Sequence, residues 1–145
     1  MVISNKDRGF TLLELLVVVA IIGILAAVVV AMLGGAKKKG EDSAIKEQLT
    51  ALRTEAELYA GENGGNYTDL FITNNSWNSE DQTIKAILDF VDGQTTNHTA
   101  GSGLNAWAAQ AQLKEDPTKF VCVGSDSNGL LIGTDQMAVG ATVCP

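Results

Sequence analysis

Residues 8 to 33 read RGFTLLELLVVVAIIGILAAVVVAML, and one acid, Glu14, stands near the start of this otherwise almost unbroken apolar run. From Leu15 to Leu33 no residue carries a charge. As a helix rising about 1.5 Å per residue, that stretch measures about 28 Å, close to the hydrocarbon thickness of a bilayer. A secretory signal peptide has a shorter apolar core, about 7 to 15 residues, ending at small residues shaped like Ala-x-Ala. Here the polar junction Lys6-Asp7-Arg8-Gly9-Phe10 precedes the run instead. An uncompensated charge in hydrocarbon costs about 2.5 to 3.5 kcal/mol on insertion scales, so Glu14 needs a partner or a purpose. Its position near the helix start also allows the bland alternative, in which the side chain snorkels to water.

The chain has 145 residues, 46% hydrophobic and 19% charged, enough for one small domain beside the apolar segment. Beyond residue 40 it holds 15 acids and 5 bases. That balance repels phosphate backbones, so strong nucleic-acid binding is not expected. Lys6 and Arg8 precede the apolar run and Lys37, Lys38 and Lys39 follow it, which leaves orientation undecided by positive-charge counting alone. The only cysteines are Cys122 in KFVCVG and Cys144 in GATVC. A disulfide between them closes a loop of about 23 residues and contributes on the order of 3 kcal/mol. Two unrelated buried thiols are the alternative, and a metal site lacks further ligands. A disulfide places the part beyond the apolar run outside the reducing cytosol, with the short N-terminal piece inside.

The string KDRGFTLLELLVVVAIIGILAAVVV closely resembles the class III leader and N-terminal helix of bacterial type IV pilins and the related pseudopilins. The resemblance covers about the first 35 residues and joins a basic leader, Gly9, Phe10 and Glu14 at fixed offsets to a span-length helix. Between about residues 62 and 118 no specific likeness is found.

The resemblance implies a leader, residues 1–9, removed by a membrane-embedded prepilin peptidase cutting between Gly9 and Phe10, with methylation of the freed Phe10 amine. A glycine at the cut lets a protease approach the backbone closely. It further implies a transmembrane and filament-core helix over 10–35, an amphipathic continuation over 36–60, and an α+β head over 61–145 with a C-terminal disulfide loop. Glu14 would pair with the Phe10 amine, usually of a neighbouring subunit, turning a costly buried charge into a docking signal that sets register. The implied partners are further copies of the chain, the inner-membrane assembly machinery, minor pilins and, for the monomer, the membrane. The implied product is an extracellular pilus serving adhesion, twitching motility or DNA uptake, with this chain as its major subunit, since tip subunits can lack the acid. A pseudopilin of a type II secretion or competence system is the alternative. A single-span anchored binding domain is the third reading and leaves Glu14 unexplained. No cofactor is implied. Many type IV pilins carry proline where this chain has Ala31; Gly23, Gly34 and Gly35 are the substitutes available to weaken the helix, at about 1 kcal/mol each.

Past the lysines, Ile45, Leu49, Leu52, Ala56 and Tyr59 recur at steps of four and three, one apolar stripe expected to pack on a sheet. The spacing predicts one helix from about Phe10 to Ala60, stopped by GENGG at 61–65. Residues 63–78 read as a surface loop. Ser79 and Gln82 match a capping box for a short helix over 80–91 whose buried face is Ile84, Ile87, Leu88 and Val91. LNAWAAQAQL, KFVCVG, GLLIGT and MAVGATVC read as strands, with SDSNG at 125–129 as a hairpin loop, giving an antiparallel sheet of three or four strands and an α+β head.

Asp126, Asn128 and Asp135 are weak calcium candidates, as some pseudopilins hold calcium in C-terminal loops, but turn chemistry explains them without an ion. His98, the only histidine, reads as a solvated loop residue. Trp77 and Trp107 read as packing rather than as a stacking platform. Asn66-Tyr67-Thr68, Asn74-Asn75-Ser76 and Asn97-His98-Thr99 match the glycosylation acceptor pattern, which Asn-rich loops often produce by chance. No catalytic constellation stands out, so an enzyme is not expected.

Overall fold

The computed structural model describes residues 9–72 and 77–145; the leader residues before Gly9 and the Asn74-Asn75-Ser76 triplet lie outside them. Internal contacts divide the chain between Lys37 and Lys38. The elements are α1 (Leu12–Glu62), α2 (Gln82–Gln94), β1 (His98–Ser102), β2 (Trp107–Gln112), β3 (Phe120–Gly124) and β4 (Leu131–Gly133).

Helix α1 runs 51 residues without a break, through Gly23, Gly34 and Gly35. It starts at Leu12 rather than Phe10, because Thr11 is used as its cap. It ends two residues later than the apolar stripe predicts. There the Asn63 and Gly65 amides return to the Tyr59 and Ala60 carbonyls, and Gly64 and Gly65 take positive φ of 71° and 85°, a conformation that favours glycine at helix C-termini.

From Lys38 onward, α1 packs against a four-stranded antiparallel sheet of order β1-β2-β3-β4. The predicted stripe supplies the contact. Ile45, Leu49, Leu52 and Ala56 are buried against Trp107, Ala109, Ala111, Val121 and Val123 of the sheet and against Ile84, Leu88 and Val91 of α2. Tyr59, the last of the stripe, stays half-buried and donates its hydroxyl to the Thr68 carbonyl at 2.9 Å. Strand register puts Ala109 opposite both Ala100 and Val123, so alternate residues of β2 face the helices.

Ala108 and Gln110 of β2 and every residue of β3 are buried too. The segment after β4 crosses the second face of the sheet, where Ala108, Cys122, Met137 and Cys144 form a small cluster. Cys122 and Cys144 are disulfide-bonded. Gln110, 2% exposed, fastens this segment from both ends of its amide: Nε2 donates to the Asp135 carbonyl at 2.9 Å and Oε1 accepts the Met137 amide at 2.6 Å. A Cβ on Gly101 would collide with the Ala141 carbonyl and the Gly140 backbone.

Three expectations are corrected. MAVGATVC is not a strand: its residues take turn and irregular backbone, because it lies across the sheet face rather than pairing at an edge. His98–Ser102 is a strand that the sequence did not signal; HTAGS lacks the apolar alternation on which a strand is read, and pairing with β2 supplies its order. The cap of α2 is Asp81, not Ser79. Asp81 Oδ1 accepts the Thr83 and Ile84 amides at 2.9 Å each, while Ser79 Oγ accepts the Asp81 amide one turn upstream. The SDSNG turn joins β3 to β4 as expected.

Candidate functional site

Glu14 lies in the first turn of α1, and its carboxylate already has partners. Thr11 is the N-cap: its amide and its hydroxyl each donate to Glu14 Oε2 at 2.9 Å. In return the Glu14 amide donates to Thr11 Oγ1 at 3.2 Å. This is a reciprocal capping box, Thr-x-x-Glu, which satisfies helix N-terminal donors that otherwise lack partners. Sequence reasoning weighed a docking carboxylate against a snorkelling one and missed Thr11. The signal was present in the spacing Thr11-Leu12-Leu13-Glu14. Gly9 and Phe10, next to the cap, are exposed, with Phe10 at 87%.

Beyond this cap the helix presents apolar side chains all round. From Leu12 to Leu33 the large apolar residues range from 46% exposed at Val17 to 81% at Leu12. The helix is long and apolar enough to cross a membrane.

A second acid on α1 behaves oppositely. Asp42 is buried, 3% exposed, and its carboxylate accepts the Lys114 amide at 2.6 Å and the Glu115 amide at 3.1 Å, both in the β2–β3 turn. Lys114–Glu41 and Lys39–Glu115 ion pairs, each 3.5 Å, flank it. Nothing in the run KKKGED distinguished Asp42 from a surface acid.

The other candidate residues are not gathered into a site. Asp126 and Asn128 are exposed in the β3–β4 turn and Asp135 is exposed beyond β4. Among the described residues no group of three His, Cys, Asp or Glu is placed to hold a metal. His98 begins β1 rather than lying in a solvated loop. Its ring stacks on Trp77 at 4.5 Å and its Nε2 lies 2.6 Å from Asp92 Oδ1. Trp77 also donates its indole N–H to the Leu88 carbonyl at 2.7 Å, while Trp107 is fully buried between Tyr67 and Phe71. The Asn66 side chain is used locally, with Asn63 and Thr68, while Asn97 Oδ1 accepts from the distant Gln136 amide.

A family model described as the prokaryotic N-terminal methylation motif matches residues 4–30. Type II secretion system core protein G of Escherichia coli is 42% identical over 60 residues, 41% of this chain and 41% of that protein. The corresponding protein of Pectobacterium carotovorum is 32% identical over 83 residues, 57% of this chain and 46% of its own. The type IV wide pilus major component of Thermus thermophilus is 43% identical over 59 residues, 41% of this chain and 45% of its own. The chain thus spans under half the length of these relatives. No solved structure matches it. Methylation motif, apolar helix and α+β head together make the chain type IV pilin-like.

Proposed function

We propose that this type IV pilin-like chain is a structural subunit of a helical filament, the major pilin of a type IV pilus, and not an enzyme. It is made as a single-pass inner-membrane precursor, cut between Gly9 and Phe10 by a prepilin peptidase, methylated on Phe10, and assembled with further copies and minor pilins by inner-membrane machinery.

The observation that carries this reading is the uncovered apolar length of α1 from Leu12 to Leu33. At about 25 cal/mol per Å² of apolar surface, exposure of that helix to water is strongly unfavourable. The membrane supplies a cover before assembly and the bundled helices of other copies supply one after it. Glu14 links the two states. In the monomer its carboxylate rests on Thr11; in the filament the Phe10 amine of a neighbouring copy approaches the same carboxylate, and a copy inserted out of register leaves an ion facing hydrocarbon.

A pseudopilin of a type II secretion system is the second reading, supported by the likeness to core protein G. The Cys122–Cys144 bond favours the pilus, because it ties down the C-terminal segment that a bound calcium would otherwise have to organise.

Intact-mass spectrometry on filaments sheared from the cells tests the proposal. The expected species begins at methylated Phe10 and is two hydrogens light for the disulfide. Glu14→Ala is expected to be processed and inserted but largely absent from the sheared fraction. A chain found only in membranes and retaining residues 1–9 overturns the filament reading; equal incorporation of Glu14→Ala overturns the docking role.

A further inference from the structure

In the head half of α1, most charge is sorted by flank; the exception is Glu57, which lies one turn beyond Arg53 on its side and accepts from the Tyr67 hydroxyl. Residues seven apart on a helix fall about 20° apart around its axis, and residues two apart fall about 200° apart. Lys39, Lys46 and Arg53 are seven apart and form one line. Glu41, Gln48, Glu55 and Glu62 are seven apart and form another, offset by two residues. The two lines therefore run down opposite sides of the buried Ile45, Leu49, Leu52 and Ala56 stripe. Lys46, Arg53, Gln48 and Glu55 are all half-buried, as flanking positions should be.

The surroundings reinforce the acidic flank, and on the basic flank they leave Lys46 without a salt bridge among the described residues. Lys46 opens onto an exposed groove that also holds Lys119 and Ile132. The three acids of that groove are engaged, Asp42 by backbone amides, Glu115 by Lys39 and Asp116 by Lys119, so that Lys46 is the cation of the groove left without a salt bridge among the described residues. On the other side, Asp69, Glu80 and Asp81 lie close enough to Tyr59 to act on its hydroxyl, which burial and these carboxylates together push above its usual ionisation range. From Thr54 to Ile84 there are six acids and no Lys or Arg. Lys46, Arg53, Glu55 and Glu62 make none of the salt bridges found among the described residues.

We propose that these flanks are a head-to-head docking surface whose occupant is a second copy of this chain, the Lys46–Arg53 flank of one copy seating on the Glu55–Glu62 flank of the next. The inference rests on the filament reading. Each copy offers one flank to the copy on either side, a heterologous contact, and such a contact propagates as an open helical polymer where its rotation does not close a ring. Complementary charge of this kind steers association and fixes register.

The test uses full-length chains in the source cells, reading sheared-filament yield beside membrane level and disulfide mass. Lys46→Glu with Arg53→Glu makes both flanks acidic, and Glu55→Lys with Glu62→Lys makes both basic. Each double variant is expected to lower the sheared yield about tenfold or more through like-charge contact, with membrane level and disulfide unchanged. Co-expression of the two doubles, or all four substitutions in one chain, restores complementarity and is expected to recover filaments. Wild-type yield from both doubles, or a quadruple variant as defective as the doubles, overturns the docking surface while leaving the filament reading intact. Absence of filaments from the wild type overturns the filament reading itself.

Discussion

The two halves of α1 are one continuous helix with opposite relations to their surroundings. In the first, Leu15 to Leu33 is apolar all round and its large side chains are exposed. In the second, the buried apolar residues Ile45, Leu49, Leu52, Ala56 and Ala60 lie along one stripe, and most of the rest is charged or polar. A helix that is apolar all round belongs in a membrane or a large core, and a striped one on a domain surface. The head half is thus completed by its own chain, whereas the first half needs other molecules.

One substitution made in both halves tests that division with the largest expected effect. Leu49→Ala removes a fully buried side chain and is expected to cost the head about 3 to 5 kcal/mol. Leu25→Ala, at a position 60% exposed in the chain, is expected to change head stability by under about 0.5 kcal/mol. Thermal unfolding of the detergent-solubilised chain, followed by near-ultraviolet dichroism, checks both. A comparable loss at Leu25 would break the comparison, because it would require the apolar half to be part of the folded head.

The carboxylates of the two halves differ in the same way. Glu14 closes on its own helix through Thr11, three residues away, whereas Asp42 reaches residues more than seventy positions distant and joins α1 to the β2–β3 turn. Asp42→Ala leaves two amides without their acceptor and is expected to cost about 2 to 4 kcal/mol; Asp42→Asn, which keeps one acceptor oxygen, costs about half as much. The same unfolding measurement applies. A loss under about 0.5 kcal/mol for the alanine variant would mean that water replaces the carboxylate without penalty.

What the residues disclosed follows the range of the interactions. The apolar run, Glu14 and the Ile45 to Ala56 stripe depend on neighbours three or four positions away, so periodicity exposes them. The paired cysteines were legible because so few pairings exist. Strand β1 was not, since its order comes from pairing with β2 rather than from HTAGS itself. Asp42 and Gln110 were equally hidden, because a buried acceptor and a surface acid or amide look alike until the distant backbone they serve is known. His98 was misplaced for the same reason: its surroundings, Trp77 and Asp92, come from two other segments. At the candidate site, Thr11 was legible but unread, the capping box being overshadowed by the carboxylate it serves.

The smallest expected effect concerns the far end of the head half. Tyr67 packs its ring near Trp107, at a centroid distance of 6.5 Å, and its hydroxyl donates to both Glu57 oxygens at 3.1 Å. Burial first, then the Glu57 hydrogen bond and charge, push the Tyr67 ionisation above its usual value. The sign follows from which state loses the proton more readily. As pH rises past about 10 the unfolded tyrosine ionises while the folded one is still neutral, so the stability held below that value is lost as pH climbs through the raised folded value. Tyr67→Phe keeps the ring and removes the titration. It is expected to cost under about 1 kcal/mol at neutral pH and to make the alkaline loss of stability shallower, though not to abolish it, because Tyr59 is raised in the same direction. Unfolding temperatures measured from about pH 8 to 11 decide the matter. Parallel curves for the wild type and the phenylalanine variant would show that neither burial nor Glu57 raises the ionisation of Tyr67 in the folded head.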